Sequence, residues 1–407
     1  MTIFVSLTFI LLMTGIWGLF APSDNFMKLF IPVIDVISII TFLVDYKKIQ
    51  SNFKRVLLIF LFCIVINILG VWVLRGQSII SSLRGTDLLN LLSIYSIFIW
   101  HKLKLSENNA KKVLIYLMWI FLFCYLLQWF IFPYPLFYVE GDGALDSFLS
   151  SGGIRFRLQA QGIAFLSFFY SIYKIIKHGG WKDYFLMILS GAVIIMFEFR
   201  SQLIILPFIF ILQLVYYSKY RRKKVFWSFF SIIIIGLLLM QSDFVADKIE
   251  TLQSRNETQN FSNDDYIRFF TFDYYTKEVP LNFYEKVFGT GLDGIDGEYK
   301  EETSKAKEFG YIWGDWGLIG LSWKLGIPGV LCLIIYSLKA YKISRKTPDI
   351  HYIGLWFLFL IITGTFNREF YRYGIFAIQG FALYILDLKV KSKYNIVKNE
   401  NRNFDIS

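Results

Sequence analysis

Long apolar runs separated by short polar connections are the feature that most constrains the fold of this chain. Runs of about 18 or more apolar residues are long enough to cross a hydrocarbon core of about 30 Å as helices. With 56% hydrophobic and only 18% charged residues, the composition excludes a soluble domain, in which roughly a quarter of the residues are charged. We therefore expect an all-α polytopic membrane protein with about twelve transmembrane helices. The predicted spans are residues 2–22, 26–44, 56–75, 79–100, 113–132, 160–177, 184–199, 201–217, 225–241, 316–338, 351–366 and 370–387.

Basic residues indicate which connections face the cytoplasm. Alternate connections, together with the tail after the last span, hold most of the 42 basic residues, chiefly as lysine. By the positive-inside rule, this set faces the cytoplasm. No odd span breaks the alternation, so both termini are expected on the cytoplasmic side. The connections concerned are residues 45–55, 101–112, 177–183, 218–224, 339–346 and the tail from 389.

The long polar segment at residues 242–315 is predicted to form an outer loop between the ninth and tenth spans of a single membrane domain, 1–407. Long loops are translocated largely regardless of charge, and a loop of this length is expected to fold in part. Asp264 and Asp265, ahead of YIRFFTFDYYTKE, predict the start of a short helix whose aromatic residues suit the membrane surface. Pro280 is expected to end this helix.

Arginine gathers on the predicted outer face, whereas lysine dominates the predicted cytoplasmic face. A guanidinium group offers a planar fork for phosphate oxygens and keeps its charge when it is desolvated, whereas an ammonium group is a mobile point charge. The arrangement therefore indicates an anion site on the outer side. The arginines concerned are Arg75, Arg84, Arg155, Arg157, Arg200, Arg255, Arg268, Arg368 and Arg372.

Arg200 is the clearest of these candidates, because FEFRSQL places it between two apolar runs. A charge inside a span costs about 2.5–3.5 kcal/mol on insertion scales and usually marks a polar pathway or site. The structural alternative is a helix-hairpin cap paired with Glu198. Arg155 and Arg157 in GGIRFRLQAQG suit anion capture or a snorkelling pair at the start of a span. For Arg268, the alternative is a surface cation–π contact.

The carboxylates of the long loop are the candidate proton acceptors, and most of them are expected to be solvated. Asp315 differs, because GDWG places it at the entrance to a span, where partial burial would raise its pKa. The alternative role for Asp315 is a helix N-cap. Arg368 and Arg372 flank the last outer turn, where Glu369 and Asn367 are the simpler partners.

Neither a metal nor a cofactor is expected. The three histidines lie on the predicted cytoplasmic side, and the three cysteines lie inside apolar runs, where an odd number argues against disulfides and a metal site. The glycine-rich FGTGLDGIDG lacks the GK[ST] of a P-loop. It predicts a turn whose amides help to bind an anion.

Taken in order, several short motifs resemble the O-antigen polymerase and ligase superfamily, which includes Wzy-type polysaccharide polymerases. They are GGIRFRLQAQG in a medium outer loop, FRSQLIIL at a tight helical turn, an Arg-bearing helix leading to FYEKVFGTG, and DWGLIGLSWKLGIPG entering the next span. The resemblance covers most of the chain and depends on the order and topology of degenerate motifs.

This resemblance implies a GT-C-like, metal-independent glycosyltransferase of the bacterial cell membrane. Its donor would be an oligosaccharide on undecaprenyl pyrophosphate. Its expected partners are membrane lipid, chain-length regulator proteins and flippase proteins, and no nucleic acid. Position by position, Arg155, Arg200 and Arg268 would hold the pyrophosphate, and Asp315 would lie beside the acceptor. The further expected substrate-binding residues are Arg157, Arg368, Arg372 and Glu308.

Three functions stay open at this point. A polysaccharide polymerase would pass a growing chain to the next lipid-linked repeat unit, and a ligase would pass the finished chain to another acceptor. The ligase branch of the family is thought to use a histidine in the long outer loop, and this loop has none, which favours the polymerase. A twelve-span transporter or lipid-linked glycan flippase would be expected to show two similar halves, whereas this chain is asymmetric.

Overall fold

The structure is a computed structural model that describes residues 2–15, 24–132, 134, 136–137, 145–148, 153–156, 158–197, 199–240, 264–365 and 367–404. Within these residues the fold is helical, apart from one antiparallel hairpin of strands β1 (Leu145–Phe148) and β2 (Gly153–Phe156). The first ten helices are α1 Ile3–Thr14, α2 Asp24–Val44, α3 Lys54–Arg75, α4 Ile79–Leu83, α5 Thr86–Leu92, α6 Ser96–Leu103, α7 Glu107–Ile131, α8 Gly162–Lys177, α9 Trp181–Met196 and α10 Arg200–Met240. The others are α11 Asp264–Asp273, α12 Phe283–Phe288, α13 Glu298–Glu308, α14 Gly317–Leu325, α15 Ile327–Ser344, α16 His351–Gly364 and α17 Ile375–Phe404.

Four helical segments in the described part of the chain are long and apolar enough to cross a membrane. They are Lys54–Arg75, Glu107–Ile131, Arg200–Ile232 and Ile327–Ser344. Shorter apolar helices lie at Ile3–Thr14, Phe30–Val44 and Pro348–Gly364. The protein is therefore a helical membrane protein, and the count of twelve spans stays a prediction.

Two of the predicted spans are interrupted. The prediction of one helix over 79–100 is wrong, because the chain breaks between α4 and α5 and passes through a 3-10 turn at Ser93–Tyr95. The prediction of one helix over 316–338 is also wrong, because the backbone breaks at Gly326, where φ is 89°. Glycine adopts that conformation far more readily than other residues. An apolar run indicates a location in the membrane but says little about the continuity of the backbone.

Helix α10 folds back on itself at Arg221, whose φ of −146° and ψ of 53° are not helical. The ring centroids of Phe210 and Phe229 are 6.5 Å apart. Nineteen residues of uninterrupted helix would separate them by about 28 Å. Two antiparallel arms therefore meet at the basic sequence SKYRRKK, as predicted for the eighth and ninth spans.

Contacts between the connections place one set of them at a single end of the bundle. The Asp387 carboxylate accepts hydrogen bonds from Asn52 Nδ2 at 2.8 Å and lies 3.0 Å from His101 Nε2. Lys389 pairs with Glu107 at 3.2 Å. We call this region, with residues 45–55, 101–112, 177–183, 218–224 and 339–350, the basic end.

The alternate connections meet one another at the opposite end. Asn367 Nδ2 donates to Ser201 Oγ at 2.9 Å, and the Tyr371 hydroxyl lies 3.1 Å from the carbonyl oxygen of Gly314. We call this region, with residues 75–85, 158–161, 199–202, 264–317 and 367–374, the loop end. Within the described residues, connections of each predicted set thus contact one another, and the orientation of the two ends in the membrane stays a prediction.

Helices α16 and α17 form the centre of the bundle. Nearly every residue of α16, and every residue of α17 up to Leu386, is buried, as expected for helices that are apolar on all sides. Trp356 of α16 donates its indole N–H to the carbonyl oxygen of Gly162 in α8 at 2.8 Å. The turn between these central helices therefore lies in the middle of the loop end.

Candidate functional site at the loop end

The turn at residues 367–374 joins three elements of the loop end. The Asn367 side chain caps it by accepting the amide N–H of Glu369 at 2.9 Å, and it also reaches Ser201 at the start of α10. The ring of Tyr371 stacks on Trp313, with centroids 5.6 Å apart. The turn is therefore fixed between the Arg200 segment and the GDWG segment.

A buried polar cluster lies beneath this turn. Glu369 is fully buried, and its Oε2 accepts hydrogen bonds from Gln202 at 2.9 Å and from Gln161 at 3.3 Å. The Arg372 guanidinium lies 3.5 Å from the same oxygen and donates to Gln161 Oε1 at 2.9 Å. We call these four residues the Glu369 cluster. It gathers a carboxylate, two amides and a cation from three separate parts of the chain.

Burial raises the pKa of Glu369, and the charge of Arg372 and the two glutamine amides partly offset that rise. The other oxygen, Oε1, and the Oε1 of Gln202 have no hydrogen-bond partner among the described protein atoms. Buried polar atoms in native proteins usually have a partner, in protein or in water. The cluster therefore has capacity for a proton, a water molecule or a substrate hydroxyl.

Three of the predicted arginines surround the turn. Arg200 is the first residue of α10, half-buried and next to the two residues that contact the turn. Arg372 belongs to the Glu369 cluster, with its guanidinium 5.2 Å from the ring centroid of Phe199. Arg368 is exposed and lies 5.6 Å from the ring centroid of Trp313.

Arg368 also explains one glycine of the GDWG segment. A Cβ atom on Gly314 would overlap the Arg368 guanidinium, so a side chain at this position would displace Arg368. The close approach holds an exposed cation against the segment that carries Asp315.

Asp315 is exposed in the short 3-10 turn Trp313–Trp316. The prediction of partial burial is therefore wrong, because Trp313 and Gly314 of this turn pack inward while Asp315 faces outward. The N-cap alternative is also wrong, because α14 begins at Gly317 after Trp316 and has no side-chain cap.

Helix α11 lies beside this turn. The indole N–H of Trp316 donates to the carbonyl oxygen of Arg268 at 3.2 Å, and Phe272 lies 5.2 Å from the Trp316 ring. The Arg268 side chain itself is exposed. The structure thus brings Arg200, Arg268, Arg368, Arg372 and Asp315 onto elements that are in direct contact.

The other predicted site residues are not part of this arrangement as far as the structure describes them. Glu308 is exposed at the last position of α13 and has no part in the contacts given above. Arg155 lies on β2 opposite Asp146, and its side chain is outside the described part. Arg157, Arg255 and Glu198 lie outside the described residues.

The glycine-rich FGTGLDGIDG is a structural clamp and not an open anion cradle. The amides of Thr290 and Gly291 donate to the carbonyl oxygens of Trp323 and Lys324 at 2.8 and 2.9 Å. Those carbonyls lie at the end of α14, where the break at Gly326 leaves them without helical partners. The predicted anion-binding amides are therefore engaged within the protein.

A buried ion pair holds the same segment to the bundle. Lys324 is fully buried, and its Nζ lies 2.9 Å from Asp293 Oδ1 and 3.0 Å from the Tyr299 hydroxyl. The second Asp293 oxygen bonds to Lys307 at 2.9 Å. Burial alone would raise the pKa of Asp293, but the two ammonium groups hold it well below its usual range.

Arg75 shows that some arginines of this end are structural. Its guanidinium makes two contacts with Glu285, at 2.7 and 2.9 Å, and both side chains are nearly inaccessible. It fixes α12 against the end of α3. Not every arginine of the predicted outer set therefore belongs to a substrate site.

The pairing of Arg372 with Glu369 is the simpler alternative that the sequence offered, but sequence reasoning missed Gln161 and Gln202 beside it. A signal was present, because each glutamine interrupts an apolar run next to a candidate motif, in RLQAQG and in FRSQL. Polar side chains inside spans usually face the interior of the bundle or another polar group.

No group of three or more His, Cys, Asp or Glu side chains that would hold a metal ion occurs among the described residues. No protein-family model matches the chain, and no curated protein matches it either. A function for this protein is therefore inferred from the geometry of the loop end and from the resemblance of its motifs.

Proposed function

We propose that this protein is a polysaccharide polymerase. It transfers a glycan chain from an undecaprenyl-pyrophosphate carrier to the next lipid-linked repeat unit, at the outer face of a bacterial cell membrane. The observation that carries the proposal is the set of contacts that joins the elements of Arg200, Arg268, Arg368 and Arg372 around one turn. Chain-length regulator and flippase proteins are the expected partners.

The chemistry needs cations at the leaving group. The bond between the anomeric carbon and the pyrophosphate oxygen breaks, and its electron pair leaves with the pyrophosphate. The new bond forms from an acceptor hydroxyl oxygen, whose proton passes to a carboxylate. Guanidinium groups aimed at the developing charge stabilise this transition state, and they supply that stabilisation without a metal or cofactor.

Two carboxylates of the site lie in different environments, which divides their roles. Asp315 is exposed in the turn whose Trp316 bonds to the backbone of Arg268 and whose Trp313 contacts Arg368, and we assign it to the acceptor hydroxyl. Glu369 is buried against Arg372, and we assign it to positioning that guanidinium. The resemblance of the GDWG motif supports the first assignment.

The apolar surface next to α11 suits a lipid-linked substrate. Phe269 is 70% exposed, Leu281 is 63% exposed and Phe283 is 80% exposed. Such residues on an otherwise polar segment are typical of an element that lies on the membrane surface. In this reading, the polyprenyl tail stays in the lipid while its pyrophosphate reaches the arginines.

Incubation of the purified protein with lipid-linked repeat units tests the proposal. A ladder of glycan lengths is expected, and its absence under conditions in which the protein stays folded would contradict the proposal. Transfer of a finished chain to a different acceptor, with no ladder, would indicate the ligase.

A second candidate function, from another class, is that of a transporter or lipid-linked glycan flippase. The observation that favours it is Asp35, which is only 1% exposed near the middle of α2. Its Oδ2 lies 3.3 Å from the Ser93 hydroxyl at the interruption between α5 and α6. Buried carboxylates inside spans often mark ion or proton pathways. Proton-driven uptake into vesicles that is lost in Asp35→Asn would favour this function.

A further inference from the structure

A cavity of about 210 Å³ lies at the basic end, far from the Glu369 cluster. It is formed by the end of α8, the first arm of α10 with its turn, and the segment before α16. Its polar lining is Tyr173, Lys177, Tyr217, Tyr220, Arg221 and Asp349.

The walls of this cavity are fixed by hydrogen bonds. The Tyr217 hydroxyl donates to the carbonyl oxygen of Pro348 at 2.8 Å, and Lys177 Nζ donates to the Tyr173 hydroxyl at 3.0 Å. The guanidinium of Arg221 donates to the carbonyl oxygen of Lys177 at 2.9 Å. The cavity is therefore organised before any ligand arrives.

Arg221 owes its position to the backbone. It is the residue at which α10 reverses. Its side chain therefore projects from the turn between the two arms and not from the side of a helix. One of its five N–H groups holds the Lys177 carbonyl. Lys224, from the next helical turn, lies 3.4 Å from the same carbonyl. Two cations from one turn thus converge on the end of α8.

The single carboxylate of the lining is neutralised by its neighbours. Asp349 lies 3.5 Å from Lys177 and 3.7 Å from Lys389. Burial would raise the pKa of Asp349, but Lys177, Lys389 and Lys111 together lower it. With Arg221 and Lys224 added, the cations around the cavity outnumber the carboxylates of Asp349 and Glu107. The cavity therefore attracts an anion.

Exposed tryptophans place the cavity at the level of lipid headgroups. Trp181 begins α9, a few residues after the end of α8, and it is 73% exposed. Trp227 follows the Arg221 turn and is 64% exposed. Tryptophan is enriched at the boundary between hydrocarbon and water. The cavity therefore opens where the phosphates of one leaflet lie.

We propose that this cavity binds the phosphate headgroup of an anionic phospholipid from the leaflet at the basic end. Basic pockets between transmembrane helices bind such headgroups, and the fork of Arg221 matches phosphate oxygens. This site is separate from the proposed transferase site, and its occupation does not depend on that function.

The test compares two pairs of substitutions in the purified full-length protein. Lys177→Gln with Arg221→Gln removes two cations of the lining. Lys182→Gln with Arg222→Gln removes the same charge from exposed positions in the same two connections. Binding is measured with nanodiscs that contain phosphatidylglycerol or only phosphatidylcholine, by counting retained lipids in native mass spectrometry. Inorganic phosphate is added in a separate arm.

The expected result is retention of phosphatidylglycerol by the unmodified protein and by the Lys182 and Arg222 pair. Affinity should fall about tenfold or more in the Lys177 and Arg221 pair, with an unchanged melting temperature in phosphatidylcholine as the control for folding. Equal losses in both pairs would overturn the proposal in favour of a diffuse basic surface. Displacement of the lipid by millimolar inorganic phosphate would overturn it in favour of a soluble anion.

Discussion

The loop end and the basic end contain ion pairs of very different exposure. At the loop end, two ion pairs are enclosed: Arg75 with Glu285 and Lys324 with Asp293 have side chains that are at most 8% exposed. At the basic end, the Lys48 side chain that faces Asp45 is 83% exposed. Enclosed pairs fix geometry and are costly to break, whereas exposed pairs contribute little to stability.

This difference distinguishes charges that build a binding site from charges that only set the orientation of the chain in the membrane. Exposed lysines at the basic end need only be numerous to set the orientation of the chain. Arginines at the loop end are placed individually, by a capped turn, by the close approach of Arg368 to Gly314 and by the Glu369 cluster. Substitutions of the individually placed charges at the loop end should therefore have strong, position-specific effects, whereas substitutions of freely exposed lysines at the basic end should have weak effects.

The largest expected effect is on activity. Arg200→Ala or Arg268→Ala should lower polymerisation by about 10²- to 10³-fold, because each removes a cation aimed at the leaving pyrophosphate. Single lipid-linked repeat units should accumulate at a normal protein level. Arg222→Ala at the basic end is the matched control and should leave glycan length unchanged. Normal polymer from both loop-end variants would remove the pyrophosphate site.

The next effect is on stability. Lys324→Met leaves the buried Asp293 with the partly exposed Lys307 as its remaining cation, which should cost up to about 3–5 kcal/mol. Adding Asp293→Leu should restore much of this loss, since replacing both charges by apolar groups is often close to neutral. Lys48→Met should not change the melting temperature measurably. If Lys324→Met melts at the same temperature as the unmodified protein, the two ends do not differ as described.

A smaller loss of stability is expected from a substitution that disturbs backbone packing at the loop end. Gly326→Ala should destabilise the protein by about 1–3 kcal/mol, because φ is 89° and a Cβ would lie 2.4 Å from the carbonyl carbon of Phe288. Gly191→Ala in α9 is the control, since nothing lies within 4 Å of its Cβ position. Melting curves of the two variants should shift in opposite directions, as alanine favours a helix.

Acid should weaken the loop end selectively. The pKa of Asp293 is lowered in the folded state, so the stability from its ionised form is complete above the unfolded-state value of about 4. That stability is lost as the pH falls through the folded-state pKa. Limited proteolysis of the loop should therefore accelerate on acidification below pH of about 4. The same acceleration in Asp293→Asn would exclude this carboxylate as the cause.

The smallest expected effect is that of metal removal. EDTA should leave polymerisation unchanged, because guanidinium groups supply the charge stabilisation at the loop end. The measurement is the rate of ladder formation before and after chelation. Inhibition that a divalent cation reverses would contradict the mechanism.

Many of the helix positions could be predicted from the sequence. The predicted spans at 56–75 and 113–132 lie within the observed Lys54–Arg75 and within a residue of Glu107–Ile131, because uninterrupted apolar runs mark a span directly. The helix from Asp264 could be predicted because acidic residues mark its start and Pro280 marks its end. The breaks near Gly85 and Gly326 were not, since hydropathy does not report backbone dihedral angles.

The site was accessible only in part. Arginines at the ends of apolar runs could be recognised singly, and Arg200, Arg368 and Arg372 do lie around one turn. The burial of Glu369 and the exposure of Asp315 could not be recognised, because each depends on packing between segments far apart in sequence. Gln161 and Gln202, for example, lie 208 and 167 residues from Glu369.

Labelling from outside intact cells tests most directly whether the two ends face opposite sides of the membrane, with the arginine site outside. Glu308→Cys and Lys223→Cys place exposed thiols at the loop end and the basic end, respectively. A membrane-impermeant maleimide should label Glu308→Cys in intact cells and Lys223→Cys only after permeabilisation. Labelling of Lys223→Cys alone in intact cells would place the loop end in the cytoplasm and contradict the account.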